Sequence, residues 1–264
     1  MIHVFVRHCD VSENSKMKPR PPWFTKERAL QNLIDTSDAK TAITLLVDTA
    51  SSSSSNNSSS SFNLEAFSPR VEIVKREGGS DAKSFLNLLD YVESLYDKGS
   101  LREDSIVYLL EDDYVHCAGW PAVMREGFKI LTSQGPKYLT LYDHADKYTQ
   151  MYADLQSRIY ATETCHWRTT PSTTNTYAML AGHLIENMRV HREFCDVTIG
   201  HTFDHHKFLK LGSMGQLLIS SVPGYSTHVE QAHLSPCTDW SYSAHLDETD
   251  RSDMKTKAKV PKIM

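Results

Sequence analysis

The apolar positions of this chain come in short blocks, and their period changes from block to block. Residues 2–7 alternate Ile2, Val4 and Val6 with Phe5 and polar residues, which predicts a first strand. Thr25 stands before a segment of helical period, which predicts a capped helix over 26–34. A second apolar strand over 41–47 ends at Asp48, and a third follows at 71–74. Phe85, Leu86, Leu89, Val92 and Leu95 then repeat at helical spacing behind Ser80 as cap. The run 106–110 is too short for a free helix and is β-branched at its start, so it reads as a fourth, buried strand.

Beyond it, Gly119-Trp120-Pro121 opens a helix through residue 130, and 138–142 reads as a strand. Segments 158–162 and 165–169 form a predicted hairpin, 179–194 a helix, and Asp204 the cap of a helix to about residue 211. Residues 217–222 are the last clear strand, followed by an irregular segment rich in His, Tyr and Trp. Strands alternating with helices imply a mostly parallel central sheet with right-handed crossovers, and the second half is more mixed. The fold class is α/β, a single domain over residues 1–240.

Two segments stand apart. Residues 51–61 are nine serines and two asparagines without interruption, a tract that buries nothing and is expected to be a disordered loop insertion. After Trp240 the chain turns polar and basic, so 241–264 is expected to be a flexible tail.

Composition narrows the classes. The chain has 264 residues, 40% hydrophobic and 23% charged, which is ordinary for a globular protein. A net charge of −5 supplies no broad basic field and disfavours duplex nucleic acid as a partner. Five scattered cysteines without a Cys-x-x-Cys pair argue against a disulfide framework or zinc knuckle, and fit a reducing, cytoplasmic setting. No apolar run reaches the ~18–20 residues of a membrane span.

The candidate chemistry lies at the strand ends. The fourth strand stops at Glu111, Asp112 and Asp113. Three adjacent carboxylates repel unless a cation or proton offsets them, and Mg²⁺ or Mn²⁺ takes oxygen ligands and also grips phosphates. An acidic loop in solvent is the bland alternative. Gly78-Gly79-Ser80 before a helix, with Lys83 in its first turn, suits an anion or a plain capped turn. The hydroxyl-dense segment 169–176 suits a polyol or a surface loop. Asp143 and Asp146 after a strand could bind an acceptor or a sugar, or cap a turn. Trp167 and Arg168 could stack on a sugar or grip it, although a hairpin Trp is more often core. His201 and His205 are four apart, but without a Glu-x-x-His companion they read as surface or substrate-edge residues.

In order and spacing these motifs resemble the GT-A glycosyltransferases, which bind a nucleotide-diphosphate sugar in one Rossmann-like domain. Leu46-Val47-Asp48-Thr49-Ala50-Ser51 is similar to the second-strand motif whose aspartate binds the base. The segment 79–87 resembles the glycine-containing approach to the donor, with Lys83 where arginine is usual. Leu109-Leu110-Glu111-Asp112-Asp113 resembles the Asp-x-Asp metal motif, with glutamate in its first position. The resemblance implies Arg7, Asp48, Lys83 and Asp112 around the donor, and Glu111, Asp113 and His228 around a Mn²⁺ or Mg²⁺ ion. It makes Asp204 the general base, at a helix N-terminus that favours an ionised carboxylate. Asp143, Trp167 and Arg168 would then lie toward the acceptor. The His-Trp-Arg-Thr-Thr-Pro-Ser and Gly-Tyr-Ser-Thr-His tracts are similar to small viral and bacterial glycosyltransferase-like proteins. The implied activity is inverting, metal-dependent transfer from a nucleotide-diphosphate sugar, UDP by the family's habits, to a glycan or other hydroxyl. The alternatives are a sugar nucleotidyltransferase or metal phosphohydrolase, and a non-catalytic nucleotide-sugar-binding module. A nucleotidyltransferase would be expected to carry a Gly-rich basic loop after strand one. Here that loop has Lys16, Lys18 and Arg20 among prolines and no glycine.

Overall fold

The computed structural model describes residues 1–9, 17–50 and 64–244, so the predicted disordered tract and most of the predicted tail lie outside it. Its centre is a nine-stranded sheet, ordered β3-β2-β1-β4-β9-β6-β12-β8-β7. The first half runs β1 (Ile2–His8), α1 (Lys26–Thr36), β2 (Thr41–Asp48), β3 (Glu72–Arg76), α2 (Asp81–Asp97) and β4 (Ile106–Glu111). Its four strands are parallel, so all four carry their C-terminal ends to one edge. Thr25 and Ser80 cap α1 and α2 by accepting the amides of Arg28 and Lys83.

The second half is β5 (Tyr114–His116), α3 (Trp120–Gln134), β6 (Tyr138–Thr140), β7 (Ile159–Ala161), β8 (His166–Thr170) and β9 (Tyr177–Leu180). It continues through α4 (Ala181–Glu186), α5 (Met188–Glu193), β10 (Cys195–Asp196), β11 (His201–Thr202), α6 (Asp204–Ser213), β12 (Leu218–Val222), β13 (Ser226–His228) and α7 (Trp240–Ala244). β6 and β12 are parallel to each other, while β9 lies antiparallel between β4 and β6.

Alternation in β4 divides the core in two. Ile106, Tyr108 and Leu110 face the side covered by α1 and α3, where Leu30, Leu33, Val123 and Met124 pack. Val107 and Leu109 face α2 and the helices of the second half, against Phe85, Leu89, Leu184 and Phe208. Both faces of β1, β2 and β4 are buried, which is why they read as near-continuous apolar runs, while β3 is an exposed edge strand.

The structure corrects three predicted elements. The helix expected over 179–194 begins as strand β9, followed by two short helices. The buried apolar run at Tyr177 completes a sheet, a role that local periodicity cannot distinguish from a helix start. The last strand is not β12, because β13 pairs antiparallel with β5 in a separate two-stranded ribbon. Asp204 is the first residue of α6, and the cap position belongs to Phe203. Among the described residues no helix is long and apolar enough to cross a membrane.

Candidate active site

Register places the first pair of charged groups. Arg7 and Glu111 are direct partners across β1 and β4, on the face toward α2. The Arg7 guanidinium is buried over the Phe85 ring, with Nη1 2.7 Å from Asp81 Oδ1 and Nη2 2.8 Å from Glu111 Oε1. Asp81 also accepts the amide of Thr202 at 3.0 Å, tying the β10–β11 hairpin to the start of α2. Burial would raise the Asp81 carboxyl, but Arg7 and Thr202 hold it down at about 2. Burial pushes the Glu111 carboxyl up, and Asp113 and Asp81 add to that against the pull of Arg7.

The next two acids have separate partners. Asp112 Oδ2 lies 2.8 Å from His8 Nδ1 and 2.9 Å from Lys26 Nζ, and it accepts the Cys9 amide at 3.2 Å. Burial would raise this carboxyl, but Lys26 and His8 leave it lowered. Asp113 Oδ2 lies 2.7 Å from Arg20 Nη2, 2.9 Å from His228 Nε2 and 3.3 Å from Lys18 Nζ. Against the cost of burial, His228, Lys18 and Arg20 hold Asp113 well below the usual carboxylate range. Its Oδ1 is buried with no hydrogen-bond partner among the described residues. The ribbon of β5 and β13 brings Asp113 and His228 together, since His228 pairs with Tyr114.

Asp113 and His228 are therefore the pair that could hold a cation. Among the described residues no group of three or more His, Cys, Asp or Glu side chains is arranged as a metal cage. A carboxylate, an imidazole and one unpartnered buried oxygen nevertheless suit Mg²⁺ or Mn²⁺, which take one or two carboxylates and leave other positions to phosphates and water. All three acids already meet cationic side chains: Glu111 meets Arg7, Asp112 meets Lys26, and Asp113 meets Arg20 and Lys18.

The predicted donor residues take different places. Asp48 ends β2 and accepts the amides of Ala50 at 3.0 Å, Gly78 at 3.0 Å and Gly79 at 2.7 Å. A Cβ on Gly78 would stand 2.5 Å from Asp48 Oδ2, and Gly79 has φ +82°, so both glycines are needed for this close approach. Lys83 is exposed in the first turn of α2. The Ala82 amide next to it donates to Gly200 O at 3.4 Å, and that of Lys83 to Ser80 Oγ at 3.2 Å.

In the second half of the chain, Asp204 is half-buried and accepts the amide of His205 at 2.8 Å. His205 Nδ1 lies 2.9 Å from Ser172 Oγ, which ties α6 to the hydroxyl-rich segment. That segment is no surface loop: Ser172, Thr173, Asn175 and Thr176 are buried. Asp143 and Arg168 form a buried ion pair at 2.7 Å. Trp167 is fully enclosed, with Gly127 and Leu139 beside it, and has no open face for a sugar. The exposed His201 and His205 point to different partners, Asp81 and Ser172.

Sequence reasoning passed over Lys207, which is fully buried under α6. Its Nζ meets Asn175 Oδ1 at 2.5 Å and the rings of Phe85 and Tyr177 at 4.5 and 4.7 Å. Burial brings its ammonium down to about 8. The signal was its position on the apolar side of the helix beside Phe208 and Leu211. A separate cleft of about 460 Å³, lined by Phe128, Lys137, Leu180 and His183, contains none of the site residues.

Neither a protein-family model nor a curated protein matches the sequence. Solved structures similar in shape include TarS of S. aureus, at 12% identity and TM-score 0.45 over 85% of this chain and 59% of that one. They include the 2-C-methyl-D-erythritol 4-phosphate cytidylyltransferase of Francisella tularensis, at 11% identity and TM-score 0.43 over 97% and 98%. Mouse xyloside xylosyltransferase 1 is similar at 7% identity and TM-score 0.40 over 82% and 83%. The fold itself is an α/β domain with a mostly parallel central sheet flanked by helices.

Proposed function

We propose that this chain is a glycosyltransferase that moves a sugar from a nucleotide-diphosphate donor to a hydroxyl acceptor with inversion, assisted by Mn²⁺ or Mg²⁺. The observation that carries this reading is the Asp113–His228 pair at 2.9 Å, at the sheet edge where open α/β folds bind ligands. Asp113 and His228 would hold the cation. When bound, it supplies positive charge to the departing diphosphate.

The remaining work falls to the chain's own groups. Lys18 and Arg20 sit beside Asp113 and draw the anionic donor to this edge. Asp48 pins Gly78 and Gly79 and so fixes the wall beside the nucleotide. Arg7, joined to both Asp81 and Glu111, locks the start of α2 to the end of β4. Asp204 takes the proton from the acceptor hydroxyl as that oxygen attacks the anomeric carbon, while the bond from that carbon to the diphosphate oxygen breaks on the opposite face. UDP is the nucleotide we assign first.

A nucleotidyltransferase is the second reading. It is favoured by Lys18, Arg20 and Lys26, which turn the connection after β1 toward the acids despite its lack of glycine. One experiment separates the two. Thermal shifts with UDP-, GDP- and dTDP-sugars, with and without Mn²⁺, find the donor, since ligand binding raises apparent stability. The products are then followed. Release of nucleoside diphosphate from a nucleotide sugar supports the glycosyltransferase. Release of pyrophosphate from a nucleoside triphosphate and a sugar phosphate would replace it with the second reading.

A further inference from the structure

Tyr148 is an exposed aromatic ring anchored at its hydroxyl and on one face. It is 56% exposed, yet its hydroxyl donates to Asp143 Oδ2 at 2.6 Å and the Arg168 guanidinium lies 4.7 Å from its centroid. Asp143 is in turn paired with Arg168 at 2.7 Å, and the two side chains are only 2% and 9% exposed. One face of the ring is therefore spent on a buried ion pair. The other has no ring partner among the described residues. Fixing the ring in advance removes the entropy that a free surface tyrosine would lose on binding.

Its place in the fold is specific. Asp143 follows β6, and β6 is separated from β4 by β9 alone. Two strand spacings put the end of β6 about 10 Å from the end of β4, where the acids begin. Met151, 77% exposed, extends the apolar surface along the same turn. Tyr152 beside it carries the Lys147 ammonium on its ring at 4.0 Å, which stiffens the turn from below.

We propose that Tyr148, fixed by Asp143 and Arg168, is the platform on which a pyranose acceptor lays its C–H face. The proposal rests on the transferase reading for the word acceptor, and on the ring's own geometry for the sugar. It also moves the aromatic contact from the enclosed Trp167 to a ring that a ligand can reach.

The test is saturation-transfer NMR on the full chain with methyl glucopyranoside, methyl galactopyranoside and methyl rhamnopyranoside, in the presence of UDP and Mn²⁺. In the unsubstituted protein, the protons of one sugar face should receive saturation from at least one of the three. Tyr148→Ala should cut that transfer about fivefold or more. Tyr148→Phe should keep most of it, since the ring remains on Arg168, and Tyr148→Trp should keep or increase it. Transfer that survives Tyr148→Ala, or its absence with all three sugars in the unsubstituted protein, overturns the platform. Nucleotide binding is read separately by thermal shift. Sugar binding that depends on Tyr148 in a chain that binds no nucleotide would end the transferase reading and leave the platform standing.

Discussion

His228 and Asp113 are 115 positions apart in sequence, and their Nε2 and Oδ2 atoms are 2.9 Å apart in space. Asp113 immediately precedes β5, His228 ends β13, and the antiparallel pairing of these two strands makes the contact. A pair that holds a cation together should behave as a unit. Asp113→Ala and His228→Ala are each expected to weaken Mn²⁺-dependent binding of UDP by about tenfold or more. The double variant should be little worse than either, as contacting residues are non-additive. Calorimetric titration of UDP with and without Mn²⁺ checks this. Additive losses, or UDP binding indifferent to Mn²⁺, would remove the pair from the metal site.

Arg7 neutralises two carboxylates at once from a buried position. Arg7→Met would leave Asp81 and Glu111 without their shared cation, and breaking a buried pair in this way costs about 3 kcal/mol. Urea denaturation should show that loss. Arg7→Lys should recover only part of it, because a single ammonium cannot span both carboxylates as the guanidinium fork does.

Gly78 tests the wall formed by Asp48. Gly78→Ala drives a Cβ to within 2.5 Å of Asp48 Oδ2, so the carboxylate must give up the amides it accepts. A loss of about 1–3 kcal/mol is expected, in the range of overpacking. Nucleotide affinity should fall with it, and a variant with normal stability would show that the Asp48 contact is dispensable.

Acid should destabilise the fold through two buried histidines, offset in part by Glu111, whose carboxyl is raised by burial and takes up its proton more readily in the folded chain. His116 is fully buried, and burial lowers its imidazole from 6.5 to about 3. His191 is lowered well below 6.5, by burial and then by the Lys207 charge. Above pH ~6.5 both are neutral whether folded or unfolded, and neither opposes folding. As pH falls below that, only the unfolded chain takes up the protons, so stability drops by about 1.4 kcal/mol per pH unit for each histidine. For His116 the loss continues to its folded value near 3, where Asp81, held at about 2, adds its own. Urea midpoints measured near pH 7, 6 and 5 should fall steadily. His116→Gln should flatten the slope, and an unchanged slope would contradict a neutral buried His116.

Asp204→Asn should keep donor binding and lose sugar transfer by about two orders of magnitude or more, the usual worth of a positioned general base. Transfer at near-normal rate would shift the base role elsewhere on the acceptor half.

The sequence by itself determined the parallel half. The blocks that become β1, β2 and β4 are apolar on both faces, and the strands they predict end at Arg7, Asp48 and Glu111, so a parallel sheet must bring those groups to one edge. Thr25 and Ser80 announced their helices because capping is local chemistry. The tertiary structure decided what local patterns do not encode. Tyr177 and Met179 became a strand because an antiparallel place between β4 and β6 was open to them. The hydroxyl-rich segment became buried because Tyr114, Thr140 and His205 supply its hydrogen bonds. Each acid at the end of β4 acquired a cation from a different part of the chain: Arg7 from register, Lys26 from α1, Arg20 from the loop before it. Charge pairing across such separations depends on which surfaces the fold brings into contact, and a linear pattern carries no distances between them.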